Sequence, residues 1–202
     1  MSATAPDGRT LLGSVVRLDR LTPDDAPALF AALDDPRVWA SGYAGGPAGR
    51  PADVAAMRAW VARLLTLTDQ VPYVVRLVAD GTVVGTTSLG EVDVLNESTH
   101  LGWTAYAPAV WGTGVNPECK LALLGHAFED CGFGRVKIQT DAVNERSQAA
   151  IAKLGATREG VLRRHLRRAD GTFRDTVVFS VLREEWPGVR AGLVARVREH
   201  RV

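Results

Sequence analysis

Trp111-Gly112-Thr113-Gly114-Val115-Asn116 lies between a strand-like stretch at 100–106 and a helix-like stretch at 115–131. Two glycines at a strand-to-helix turn let the backbone approach a ligand with no Cβ in the way. The helix that follows presents unpaired N–H groups and the positive end of its dipole, which together suit a phosphate. The stretch therefore reads as a main-chain cradle for a phosphate-bearing ligand. Its neighbours decide which fold carries it.

Upstream, residues 73–78 and 83–87 flank Asp80-Gly81, the usual turn dipeptide of a β-hairpin, and residues 97–106 add a third strand. Before the hairpin come a strand at 14–20, a helix opened by Thr22-Pro23, and a glycine- and proline-rich loop at 41–51. A second helix follows, capped by Asp53 and carrying Val54, Met57, Trp60, Val61, Leu64 and Leu65 at helical spacing. Downstream, Leu121, Leu124, Phe128 and Cys131 share one helical stripe, and 135–140 is the next strand. Asn144 opens a short helix closed by Gly155, and strands at 157–167 and 173–182 join through Asp170-Gly171. A tail helix closes the chain. Hairpins, then strand–helix–strand–helix, then a hairpin describe a layered α+β domain and not a doubly wound sheet.

Residues 1–13 are rich in small and polar types and read as a flexible terminus; 14–186 form the domain and 187–202 a helical extension. With 202 residues, 46% of them apolar, the chain is long enough for a substantial core. A net charge of +1 argues against a nucleic-acid binder working by bulk electrostatics. No apolar run approaches the ~20 residues that span a bilayer, and the start lacks the order of a signal peptide, so the expected location is cytoplasmic. Cys119 and Cys131 fall on one helix, too far apart for a disulfide and without a CxxC partner, so no metal site is expected.

A P-loop needs Gly-Lys followed by Ser or Thr at the helix start, where this chain has Val115-Asn116-Pro117. A dinucleotide fingerprint needs a third small residue where Pro117 stands. The cradle instead resembles the pyrophosphate loop of the GCN5-related N-acetyltransferases (GNAT), in the W-G-x-G form of the RimJ/RimL-like branch. His100-Leu101-Gly102-Trp103 is similar to that family's fourth-strand motif. Asp141-Ala142-Val143-Asn144-Glu145-Arg146-Ser147 resembles its D-x-x-N-x-x-S, and Lys153-Leu154-Gly155-Ala156 with Arg158-Glu159-Gly160 its K-L-G-F and E-G. The resemblance covers residues 14–186.

The resemblance implies a three-layer α/β/α fold with a mixed, mostly antiparallel sheet whose central strands splay. It implies transfer of an acetyl group from acetyl-CoA to a primary amine by direct attack in a ternary complex, with no metal. The implied cofactor contacts are Trp103, Thr104 and Ala105 on the splayed strand, the loop Trp111, Gly112, Thr113, Gly114, Val115 and Asn116, and Asn144, Ser147 and Lys153. Asn116 stands where the superfamily prefers glycine or alanine, and is expected to donate to a phosphate or cap the helix. Where many members carry an acidic tyrosine this chain has Ile151, so Ser147 becomes the expected partner of the leaving thiolate. His100 occupies the position of a common glutamate and is the expected base. His165, beside Leu166 where RimL-like enzymes hold a glutamate, is the other candidate, with Glu91 and Glu118 further back. Trp39 and Tyr43 fall where the family builds its acceptor wall. Arg163, Arg164, Arg167 and Arg168 form a basic stripe that either guards a strand edge or attracts an acidic group. The acceptor class, a larger acyl group such as succinyl, a sensor that binds acyl-CoA without turnover, and a homodimer all stay open.

Overall fold

A computed structural model describes residues 2–40 and 42–200 of the chain; Ser41 of the glycine-rich loop and the last two residues of the extension lie outside them. One eight-stranded sheet runs through it in the order β1-β2-β3-β4-β5-β6-β8-β7. The strands are β1 (Leu11–Leu12), β2 (Val16–Arg20), β3 (Val71–Leu77), β4 (Val83–Asp93), β5 (Ser98–Tyr106), β6 (Arg135–Asp141), β7 (Thr157–Arg167) and β8 (Phe173–Leu182). The helices are α1 (Ala26–Leu33), α2 (Pro36–Trp39), α3 (Val54–Leu65), α4 (Val115–Gly125), α5 (Glu145–Leu154) and α6 (Trp186–Glu199).

Every pairing is antiparallel except β5 with β6, which α4 connects as a crossover. Alternation along the strands sends side chains to two cores. Leu89, Leu101, Val136 and Ile138 pack with α4, α5 and α6 on one face. Val74, Val83 and Ala105 pack with α1, α2 and α3 on the other. This is the three-layer α+β arrangement that the order of elements predicts.

Local chemistry sets the helix starts. Asp53 accepts from Ala56 N at 2.7 Å and opens α3, as expected. Thr22-Pro23 starts a short 3₁₀ turn ahead of α1, with Asp25 accepting from Thr22 N and Oγ1. Both cysteines are buried and unbridged.

The amino-terminal segment differs from expectation. Ala3 and Leu11 are buried in the first core, Thr4 N donates to Cys131 O at 2.8 Å, and β1 extends the sheet. What fastens the chain at the next step is Glu118 on α4. Its carboxylate accepts from the backbone N–H groups of Ser14, Val15 and Val16 at 2.9, 2.6 and 2.7 Å, and from the Ser14 hydroxyl at 2.5 Å. Composition reads as looseness; burial of two apolar side chains and this anchor override it.

At the far edge β7 is exposed along nearly its whole length. Its register shifts between Leu162 and Leu166, and Arg164 has φ +51°, so the strand bulges. Arg164 and Arg167 lie over the Phe173 ring and Arg168 pairs with Asp141 at 2.8 Å. A bulged, arginine-bearing strand is poor at pairing with another edge.

Replacing Glu118 with Gln should test the anchor. Burial pushes the Glu118 carboxyl up, but the hydrogen bonds from Ser14, Val16 and Val15 outweigh it and hold it below its ordinary value. The stabilisation is therefore full at neutral pH and fades as acidification takes the pH through the folded-state pKa. Glu118→Gln should lose about 2 kcal/mol in urea unfolding at pH 7. The difference between the two proteins should shrink in acid.

Candidate active site

β5 and β6 pair over only three residues, Ser98↔Arg135, Thr99↔Val136 and His100↔Lys137. Beyond His100 they part: β5 stays with β4 to Tyr106, while β6 stays with β8 to Asp141. The cause is a bulge. Thr86 pairs with Ala105 and Ser88 with Gly102, so Trp103 and Thr104 together oppose Thr87. Trp103 has φ +49°, a conformation that non-glycine residues rarely adopt.

His100 sits at the apex of the resulting gap, 3% exposed. Its Nδ1 lies 3.0 Å from Glu91 Oε1, and Glu91 also pairs with Lys137. The His100 hydrogen bond and Lys137 together hold the Glu91 carboxyl down at about 2, against the opposing effect of burial. Being ionised, Glu91 accepts, so the ring proton is on Nδ1 and Nε2 keeps its lone pair. Burial depresses His100 below its ordinary value, with Glu91 opposing. The ring is thus neutral near pH 7, and its Nε2 is buried with no hydrogen-bond partner. The bulge turns the Trp103 ring onto this same side, 4.6 Å from the imidazole. Both rings fit only because their neighbours lack side chains. A Cβ on Gly102 would lie 2.5 Å from His100 Nε2, and one on Gly90 2.7 Å from the Trp103 ring. Across the gap the buried Oε1 of Gln139, on β6, also has no partner.

The cradle lies at the end of β5. Trp111 Nε1 donates to Tyr106 O at 2.9 Å, Gly112 takes φ +78° with open space around it, and Gly114 leads into α4. Among the described residues the α4 start has no side-chain cap beyond a 3.4 Å contact from Val115 N to Thr113 Oγ1, so Asn116 does not close the helix start. Opposite stands the start of α5, where Asn144 Oδ1 accepts from Ser147 N at 3.0 Å. Among the described residues the Ser147 hydroxyl itself makes no hydrogen bond, so Asn144 is the cap and Ser147 is not. The Arg146 guanidinium lies 3.7 Å from the Trp111 ring centroid and so bridges the two arms.

The acetyltransferase (GNAT) domain model matches residues 16–157. The chain belongs to the GNAT acetyltransferase family. It is 32% identical over 112 residues to the "Putative ribosomal N-acetyltransferase YdaF" of Bacillus subtilis strain 168, covering 55% of this chain and 60% of that protein. The chain thus spans about three-fifths of the length of the curated relatives it matches. It is similar to the crystal structure of a "putative acetyltransferase" from T. thermophilus, with TM-score 0.83, 39% identity and coverage of 93% and 96% of the two chains. Mycobacterium smegmatis RimJ, in complex with CoA-disulfide, shares the fold at TM-score 0.75 and 24% identity over 96% and 97% of the chains.

Against this GNAT frame the residues singled out in the sequence divide. His100, Trp103, Thr104, the loop from Trp111 to Asn116, Asn144 and Ser147 are gathered around the gap. Others are not. Trp39 is 1% exposed and donates from Nε1 to Leu33 O, so it is a core residue and no acceptor wall. Tyr43 packs over it at 5.3 Å and reaches Trp103 O with its hydroxyl at 3.4 Å. The Ala105 side chain is buried in the second core, while its backbone continues β5 just past the bulge. Lys153 is exposed in the last turn of α5, about 13 Å of helix from Asn144. His165 bonds Thr176 Oγ1 on the outer strand pair, three strands and about 14 Å from β5. Trp103 itself lies beside His100, where simple alternation would send it to the other face; the bulge is the reason.

Glu91 was underweighted, and Arg146, Gln139 and Lys120 were missed. For Lys120 a signal existed, a charged residue on the stripe of α4 that turns inward; Gln139 shares the polar face of Arg135 and Lys137, and its spacing gave none. Among the described residues no group of three His, Cys, Asp or Glu could hold a metal ion, and no helix is long and apolar enough to cross a membrane.

Glu91→Gln provides a direct check of the dyad. Losing the carboxylate should lower the His100 pKa further and let part of the ring population shift its proton to Nε2. Nitrogen-15 NMR of the ring across pH 4–8 reads both. An unchanged titration and tautomer would mean that Glu91 does not orient the ring.

Proposed function

We propose that this protein transfers the acetyl group of acetyl-CoA to a primary amine by direct attack in a ternary complex. The observation that carries the reading is the gap between β5 and β6, with a neutral His100 at its apex and its Nε2 lone pair unused. Of the orphaned buried acceptors, Gln139 Oε1 suits a ligand that brings an amide N–H, such as a pantetheine arm, and His100 Nε2 suits the N–H of the attacking amine. The loop at 111–116 and the start of α4 suit its pyrophosphate. The CoA-disulfide bound to the RimJ relative supports the same ligand class.

Each residue then has a task. The amine nitrogen attacks the thioester carbonyl; a C–N bond forms and the C–S bond breaks. His100 Nε2 takes the proton that the amine gives up, directly or through one water. Backbone N–H groups at the Gly102–Thr104 bulge face the carbonyl oxygen as negative charge develops there. The Ser147 hydroxyl, free of any capping duty, gives its proton to the departing thiolate and recovers one from solvent. Asn144 fixes Ser147 by accepting from its N–H. Tyr43 and Trp103 form the wall on the acceptor side.

A protein amine is the acceptor class that the name of the YdaF relative favours, with amino acids, polyamines and aminated antibiotics as the other members of the screen. A succinyl donor has lost its argument, because Arg168 is committed to Asp141 and its neighbours lie on the outer edge. A sensor without turnover would not need a histidine kept neutral with an open lone pair.

A thiol-release screen of amine acceptors with acetyl-CoA and succinyl-CoA tests the reading, and steady release with acetyl-CoA is expected. His100→Ala should lower kcat/KM by about 10²- to 10³-fold and remove the acidic limb of the pH profile. Ser147→Ala should lower kcat by about tenfold or more with the donor KM nearly unchanged. CoA binding without release for every amine would sink the enzymatic reading.

A further inference from the structure

Lys120 points from the second turn of α4 into the protein and is 7% exposed. Its ammonium donates to Thr104 Oγ1 at 2.9 Å, and that hydroxyl lies 2.8 Å from Thr87 Oγ1. Among the described residues Lys120 enters no ion pair. The nearest carboxylate along the helix, Glu118, is committed to residues 14–16. A buried ammonium without a counter-ion is unfavourable, and burial draws Lys120 down to about 8. A methionine would fill the same space without that penalty, so packing does not account for the residue.

Its position does. Thr104 is the second residue of the bulge, which the proposed reaction uses to face the thioester oxygen. His100 feels the same charge: after burial and the opposing pull of Glu91, both Lys137 and Lys120 act to keep it unprotonated. The charged groups facing His100 are therefore Glu91 on β4, Lys137 on β6 and Lys120 on α4. Facing Lys120 are His100 and the Cys119 thiol on its own helix.

Resting on the acetyl-transfer reading, we infer that Lys120 is a positioning residue of the reaction. Its ammonium, anchored through Thr104, holds the Gly102–Thr104 bulge and supplies a fixed positive field. That field favours negative charge at the reacting carbonyl and keeps His100 ready to accept a proton. Lys120 acts through Thr104 and through space, without touching the substrate.

Signs follow from the charge. Removing a cation near His100 raises its pKa, so the acidic limb of the pH profile moves to higher pH. Neutralising Lys120 itself, near pH 8 in the ligand-free protein, removes the field and brings activity down on the alkaline side.

Lys120→Met and Lys120→Arg, measured by kinetics against pH and by NMR titration of His100 in the ligand-free protein, decide the matter. Lys120→Met should keep or raise Tm while kcat falls about 10- to 100-fold and the donor KM stays within about threefold. Its acidic limb and its His100 titration should both move up. Lys120→Arg should restore the limb and most of kcat, and carry the alkaline limb upward. A Lys120→Met protein with wild-type kcat and an unmoved His100 titration overturns the inference, as does a loss confined to KM and stability. If the wild-type protein turns over no amine, the function reading fails separately. The NMR titration then still decides whether Lys120 sets the state of His100. Should Lys120→Met not fold, Thr104→Val replaces it. A loss of about tenfold in kcat with KM retained supports the role, and an unchanged kcat overturns it.

Discussion

Three residues of parallel pairing between β5 and β6, followed by none, is the constraint from which the rest of the site is built. A continuing ladder would bury the polar edges of both strands against each other. Instead the bulge at Trp103 and Thr104 turns β5 aside while β4 keeps hold of it, and β8 keeps hold of β6. The sheet remains one sheet because each arm retains its outer neighbour. Among the described residues the two inner edges, with His100 below them and Gln139 alongside, no longer pair with each other beyond His100 and Lys137. In a domain of this size such groups are tolerated where a ligand completes them.

The charges around the gap form a consistent set. Glu91 is ionised, clasped by His100 and Lys137, and in turn fixes which imidazole nitrogen carries the proton. Burial and two cations keep the imidazole neutral. Lys120 lies on the α4 side of the sheet and His100 on the side of Trp103 and Glu91, so the bulge sits between a cation and a base. Neither feature improves stability. Buried, imperfectly paired polar groups usually lower it, and their concentration at one place is what separates this region from the two apolar cores.

Much of the architecture was legible in the residues. Asp80-Gly81 marked a hairpin, Asp53 and Asn144 marked helix starts, and Gly155 a helix end with φ +100°. What escaped was geometry that no local pattern encodes. A non-glycine residue at positive φ cannot be read from its name, and simple alternation does not bring Trp103 beside His100. The amino terminus looked loose because its composition is small and polar, yet two buried apolar side chains and one distant carboxylate hold it. Trp39 belongs to a one-turn helix opened by Asp35-Pro36, the same kind of cap-and-proline start that Thr22-Pro23 shows. Lys120 falls on the same stripe as Leu123, Leu124 and Ala127, and a lysine on an inward stripe was evidence available from spacing alone.

Trp111 packs against both hydrophobic cores, one on each face of the sheet. Its indole also donates to Tyr106 O and lies under Arg146. The glycine turn is therefore fastened at its first residue to both layers of the domain and to the opposite arm of the gap. Such a turn does not fray on its own, as surface glycine loops do. Opening it means loosening the joint between the layers, so its order is that of the domain as a whole, and a ligand meets a surface already set before it arrives.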